Sequence, residues 1–373
     1  MGNISKYQLG AMIILLQIGS TPLFELGIKA KQDAWLVVLI STLLGLLLLM
    51  LFLAIQHREP QKNLNQMLIQ YFGSYVGKFT VLFYALNFTY ESMRNLRDFG
   101  DLTLMTILPQ TPISLIMLIM LSLSIYVIYK GIEVFFRVAE FIVPFVLFFY
   151  FILIITSFFS GITHFGRLLP VLENGIQPVL RESFYTTWFP FGQMMVFLVF
   201  WSYLNEKKGM SGASIRAYIV SAILILLTNI INLAVLGPEF TGISTIPLLQ
   251  TIQLIQIAEV FERFDALVIL LFYAGIFIKA TLWHLAAVLG LAQLFHTDYR
   301  KFVLPVGAVI YFTAFLPPNW QRHLEIGDIV SKQFMVNPIY IEIIPAILFI
   351  VMLIRGDGNK RRRGSPPPSS PLQ

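Results

Sequence analysis

The chain of 373 residues contains no cysteine. That absence excludes disulfides, thiolate metal sites and thiol nucleophiles together. Histidine is sparse as well, at five scattered residues, and their spacing suggests no metal site. Charge is the third scarcity. Only 12% of residues are charged against 57% hydrophobic, with a mean hydropathy of +0.76. A soluble chain carries roughly 25% charged residues, so hydrocarbon is the expected surroundings for most of this one. No phosphate-cradling glycine loop, metal-ligand spacing or nucleophile beside a base stands out, so no enzyme activity, cofactor or metal is expected. The first apolar run lacks an Ala-x-Ala-like site, which argues against a cleavable signal. The net charge of +6 is distributed in a way that points to membrane orientation and away from nucleic acid.

What the chain does have is a succession of long apolar stretches. Ten spans are expected: Tyr7 to Ala30, Ala34 to Ile55, Phe79 to Leu108, Thr111 to Tyr129, Phe141 to Thr163, Ser183 to Asn205, Ala217 to Gly237, Glu262 to Phe295, Phe302 to Leu316 and Pro338 to Ile354. With the N-terminus inside, 16 of the 26 lysines and arginines fall in cytoplasmic segments, among them Arg58, Lys207 and the cluster Lys360 to Arg363. The opposite side holds seven. This bias places both termini in the cytoplasm. Residues 1–358 are read as one ten-helix transmembrane domain, and 359–373, rich in Pro and Ser, as a disordered cytoplasmic tail. Three links are more than turns. Asn63 to Phe72 has the pattern of an amphipathic interfacial helix. The Pro238 to Phe261 link holds a possible surface helix over Leu248 to Gln253, and Gly161 to Glu182 is a second external link.

Two spans about 170 residues apart are interrupted in matching places. A helix that stops bonding within hydrocarbon leaves bare N–H and C=O groups, tolerated where they line a polar cavity or a ligand site. Paired breaks point to a transporter-type inverted repeat. At the first, Gly19 can leave helical geometry cheaply, Ser20 and Thr21 can bond freed backbone groups, and Pro22 stops continuation. A half-helix starting near Pro22 would aim its positive end at a ligand carboxylate. At the second, Pro190 and Gly192 interrupt a run flanked by Trp188, Phe189 and Phe191, with Gln193 offering an uncharged donor and acceptor. The aromatic rings can wall a small pocket. A proline kink is the plain alternative at each break.

The third span is the most polar. Tyr90, Glu91, Arg94, Arg97, Asp98 and Asp101 share one helical face, with spacings that suit Glu91–Arg94 and Arg97–Asp101 ion pairs. Such a face must meet protein or water. A structural network and a ligand role are both open. Lys279, midway along the eighth span and followed by Thr281, can exchange a proton, stand in for a bound cation, or pair with a carboxylate such as Glu91.

Five motifs resemble, in order, the B-subunit family of spore germinant receptors, within the amino acid–polyamine–organocation permease superfamily. They are Tyr7-Gln8-Leu9 leading to Gln17-Ile18-Gly19; Leu108-Pro109-Gln110-Thr111-Pro112; Phe189-Pro190-Phe191-Gly192; Phe261-Glu262-Arg263-Phe264-Asp265-Ala266; and Phe277-Ile278-Lys279-Ala280-Thr281 running on to Phe295. The resemblance implies an all-α integral membrane protein with a five-plus-five inverted repeat and broken helices 1 and 6. It implies that a small nutrient, typically an amino acid, binds between those helices. It also implies an A-subunit and a lipoprotein C-subunit as partners in the spore inner membrane. The family often has glutamate after the second break, where this chain has Gln193. The expected function is therefore a germinant-sensing subunit, with a proton-coupled amino-acid permease as the alternative.

Overall fold

The computed structural model describes residues 4–254 and 264–363. Ser5 opens the first helix, α1 (Lys6–Ile18), with a reciprocal cap: its hydroxyl accepts from the Gln8 N–H at 3.1 Å, and its own N–H donates to the Gln8 side chain at 2.9 Å. Nearly all of α1 is buried, so it runs through the interior with no lipid-facing stripe. Regular winding stops at Gly19. A 3-10 turn over Thr21–Leu23, an extended Phe24 and a 3-10 stretch over Ile28–Asp33 lead into α2 (Ala34–Arg58).

The first link contains α3 (Leu64–Phe72), started by a second reciprocal cap between Asn63 and Gln66. It turns Leu64, Met67 and Leu68 inward, the one-sided burial its pattern requires. Then come α4 (Ser74–Thr106), α5 (Ile113–Lys130) and α6 (Ile132–Phe159), the last starting well before the expected Phe141. The second interrupted segment starts early too: α7 (Ile176–Trp188) begins ahead of Ser183. It ends where Phe189 is extended and Pro190 follows, and continues as a 3-10 stretch over Phe191–Val196, α8 (Phe197–Phe200) and a 3-10 turn over Trp201–Tyr203. Backbone bonds from Ile4 N–H to Tyr203 (3.1 Å) and from Asn205 N–H to Ile4 (3.0 Å) tie the two interrupted segments together at one end.

After α9 (Met210–Leu236) come two short helices, α10 (Pro238–Ile243) and α11 (Pro247–Leu254). The surface helix expected over Leu248 to Gln253 forms as α11, but it is not a surface element: Leu248, Leu249, Thr251 and Ile252 are buried. Thr251 donates to the Asn232 side chain on α9 at 2.9 Å, so the stripe faces the bundle. The remainder is α12 (Phe264–Phe295), α13 (Arg300–Thr313), α14 (Trp320–Asp328), α15 (Val336–Pro338), a π-helical turn over Ile339–Ile343, and α16 (Ile344–Arg363). The expected start of the eighth span at Glu262, the first three residues of the Phe261 to Ala266 motif, and tail residues 364–373 lie outside the described residues.

No β-strand occurs among the described residues, and six segments are long and apolar enough to cross a membrane: Ile28–Arg58, Ile113–Lys130, Ile132–Phe159, Met210–Leu236, Val268–Phe295 and Val336–Arg355. The other four expected spans fall short for visible reasons. Two are split by the breaks, α4 carries its charges, and α13 has only 14 residues. Inside the bundle α4 and α12 pack along their lengths, α1 is wedged among α6, α9 and α12, and α2 lies against α7 and α9. The outer face of α6 presents Phe141, Phe145, Phe148 and Phe151, as a lipid-facing helix does.

Candidate functional site

The first break exists because two glycines meet there. A Cβ on Gly19 would lie 2.8 Å from the Gly275 carbonyl oxygen of α12, and one on Gly275 would lie 2.7 Å from the Gly19 Cα. Backbone contacts backbone, which no other residue permits. The Thr21 hydroxyl donates to the Gln17 carbonyl at 2.5 Å, satisfying one acceptor that the ended helix frees. No half-helix starts near Pro22, only a three-residue 3-10 turn, and that corrects the expectation of a positive helix end there. The long half-helices α1 and α7 both reach their breaks with their C-termini, which carry the partial negative charge.

Between the breaks and the segments around α10 and α14 lies a cavity of about 530 Å³. Ser20, Tyr90, Glu91, Arg94, Phe189 and Gln193 line it. Thr21 and Pro22 border a small adjoining recess. Gly19, Pro190, Phe191, Gly192, Arg97, Lys279 and Thr281 do not reach either wall. Phe191 packs on the Tyr218 ring at 5.9 Å, and Gly192 lies under Ile341, whose Cγ2 would be 2.8 Å from an added Cβ. The structure thus brings six of the expected residues to one cavity and two more to the recess beside it.

The polar face of α4 divides by height. Toward its Thr106 end, Arg97 Nε pairs with Asp101 at 2.7 Å, as the spacing predicted, and its Nη1 donates to the Ala314 and Pro317 carbonyls. Asp98 accepts from His323 at 2.8 Å, and Arg94 donates to the His323 carbonyl at 3.1 Å. These bonds latch α14 over the cavity. Deeper in, the expected Glu91–Arg94 ion pair is not formed. Glu91 instead accepts from Gln193 Nε2 at 3.1 Å and Tyr340 Oη at 3.3 Å, because Arg94 is drawn to α14.

Lys279 makes no ion pair with Glu91 either. Its ammonium is buried without a hydrogen-bond partner and sits 4.4 Å from the centroid of the Phe189 ring, a cation–π contact. The Thr281 hydroxyl is also buried and unpartnered. Phe189 therefore separates the cavity from Lys279, and its ring meets Phe24 edge-on at 5.7 Å while Phe24 stacks on Trp320 of α14 at 6.0 Å.

Three contributors escaped the sequence reading: Glu25, Asn95 and α14. Asn229 and Asn232 donate to the Glu25 carboxylate at 2.5 and 2.8 Å, and Glu25 and Asn95 both line the cavity. Glu25 follows the first break directly, a signal that was available. Nothing in the sequence marked α14, a polar nine-residue helix, as a cover.

Comparison with known proteins fits this geometry. Residues 3–322 match the family described as spore germination protein. A relative from Bacillus subtilis (strain 168), "Spore germination protein KB", is 32% identical over 365 residues, covering 97% of this chain and 98% of its own. The chain belongs to the spore germination protein family. A second family member from the same organism, "Spore germination protein YndE", is 23% identical over 332 residues, covering 88% of this chain and 90% of its own. Among solved structures, this germination protein superposes on Mhp1, a nucleobase-cation-symport-1 family transporter in a closed conformation with bromovinylhydantoin bound, with a TM-score of 0.65 at 13% identity over 91% of this chain and 78% of that one. MhsT in complex with L-phenylalanine gives a TM-score of 0.60 at 13% identity, over 93% and 87%. At such identity the likeness concerns the fold alone: an all-helical, transporter-type membrane protein. These relatives are germination proteins and transporters, not enzymes.

Proposed function

We propose that this chain is the membrane subunit of a spore germinant receptor that binds a small nutrient, an amino acid, between its two broken helices and signals to partner subunits. The observation that carries the reading is the cavity bounded by both interruptions, with Ser20 on one side and Phe189 and Gln193 on the other, and with charged and amide side chains in its wall. Irregular backbone within a membrane bundle is tolerated where it serves such a cavity. The full architecture in this reading is ten transmembrane helices in a five-plus-five inverted repeat, with both termini cytoplasmic. Of the four segments beyond the six apolar ones, three cross the membrane with their breaks or polar residues facing inward, and the fourth is the short α13. The membrane is the spore inner membrane, and the partners are the A-subunit and the lipoprotein C-subunit that the family resemblance implies. A ligand acts by binding one arrangement of the bundle more tightly than the other, and the α14 cover is the element it would bias.

The permease reading is tested in the same experiment. Purified chain in liposomes is given labelled amino acids under an imposed proton gradient. Saturable binding without accumulation supports the sensor. Gradient-driven uptake by the isolated chain would make it a permease and overturn the proposal.

A further inference from the structure

Two amide side chains midway along the cavity wall are fixed in one orientation. Asn95 Nδ2 donates to the Glu91 main-chain carbonyl at 2.8 Å, and Gln193 Nε2 donates to the Glu91 carboxylate at 3.1 Å. A carbonyl and a carboxylate only accept, so turning either amide round would lose its bond. The oxygens are what remain. Asn95 Oδ1 and Gln193 Oε1 are buried with no partner, on residues only 3% and 2% exposed that both line the cavity.

The charge of the site agrees with the lone pairs. No lysine, arginine or histidine forms an ion pair with Glu91 among the described residues; its two oxygens hold only the neutral donors of Gln193 and Tyr340. The half-helices α1 and α7, 13 residues each, end at the breaks beside the lining residues Ser20 and Phe189. Both bring negative dipole ends. Orphaned acceptors beside a carboxylate that bonds no cation directly are unfavourable until a charged donor arrives.

We propose that this end of the cavity is an ammonium subsite: Gln193 Oε1, Asn95 Oδ1 and the Glu91 carboxylate together receive the protonated amine of the ligand. Arg94, about one turn further out on α4 and also lining the cavity, faces the ligand's carboxylate. The inference rests on the nutrient-binding reading and narrows it to zwitterionic amino acids. A sugar or a 2-hydroxy acid offers hydroxyl donors to the two amides but no ammonium to the Glu91 carboxylate.

The test uses the full-length chain in nanodiscs with choline as the only buffer cation. Thermal midpoints and titration calorimetry are recorded with the twenty amino acids, the 2-hydroxy acid corresponding to each one that binds, D-glucose, and sodium or potassium chloride. We expect at least one amino acid to bind roughly tenfold or more tightly than its hydroxy twin. Glu91→Gln and Gln193→Leu should bring that ratio toward one, and Gln193→Glu should keep or widen it, which shows that the site and not the fold is being read. Equal binding of the hydroxy acid, preference for glucose, stabilisation by an alkali ion alone, or a ratio unmoved in both variants overturns the ammonium subsite while leaving nutrient binding standing. Binding of none of these probes removes the nutrient reading itself, and the subsite with it.

Discussion

At the scale of single residues, the most informative side chain is a buried ammonium with no hydrogen-bond partner. Lys279 is fully buried, with the Phe189 ring 4.4 Å away and no hydrogen bond to its ammonium. An unpaired ammonium in a bundle core works against stability. Lys279→Met should therefore raise the thermal midpoint of the purified chain, by the equivalent of about 1 kcal/mol or more, while germinant response falls if the charge serves signalling. A lowered midpoint would mean that the ammonium has a stabilising partner. Gly19 carries the opposite lesson. Its sequence context suggested a ligand-side hinge, but its neighbour is the Gly275 backbone. Gly19→Val forces α1 away from α12, at about 1–3 kcal/mol by overpacking, so a lost response there reports on packing. Differential scanning fluorimetry of Gly19→Val and Gly275→Val should give similar losses, since each intrudes on the same contact.

At the scale of elements, α14 behaves as a cover held by side chains of α4. Asp98 and His323 are both buried and bonded at 2.8 Å, and Arg94 occupies the space against Gly327 so closely that any side chain there would run into its guanidinium. His323→Ala should cost about 2 kcal/mol, the usual worth of a buried hydrogen bond to a charged group. It should also make a cysteine introduced at Leu324 react faster with maleimide, and unchanged labelling would show that the helix stays seated without the bond. The α3 link offers a pH handle. Partial burial works to raise the Glu59 carboxyl, but the Tyr71 hydroxyl at 2.7 Å, Lys62 at 3.0 Å and Gln70 outweigh it and hold the group below its ordinary range. A depressed carboxyl stabilises the fold above its unfolded value and ceases to as pH falls through the folded one. The midpoint difference between wild type and Glu59→Gln should accordingly be present at neutral pH and shrink on acidification.

At the scale of the whole molecule, the missing cysteine becomes an experimental asset, because any introduced thiol is unique. In the proposed orientation Lys208→Cys labels with an impermeant maleimide only from the cytoplasmic side, and Glu325→Cys only from the other. The reverse pattern would invert the topology. The assembly also shows how one polar face serves two purposes. Tyr90, Glu91 and Arg94 line the cavity, Asp98 lines it while also holding His323, and Arg97 and Asp101 fasten the chain near residues 314 to 317. Helical periodicity placed all of them on one side without dividing them, because the division depends on the chain between residues 314 and 328 folding back over α4.

By itself the sequence determined the features that are local. Apolar length marks a membrane chain, Gly and Pro mark both interruptions where winding stops, and the Asn63 to Phe72 pattern marks α3, since each depends on a few neighbouring residues. Only the tertiary structure decided which way the break dipoles point, that Glu91 bonds Gln193 and Tyr340 in place of Arg94, that α11 turns inward, and that Glu25 and α14 complete the cavity. Apart from the α11 contact, 19 positions away on α9, the contacts behind these outcomes join residues 102 to 249 positions apart, where competing partners are chosen by proximity that no spacing along the chain encodes.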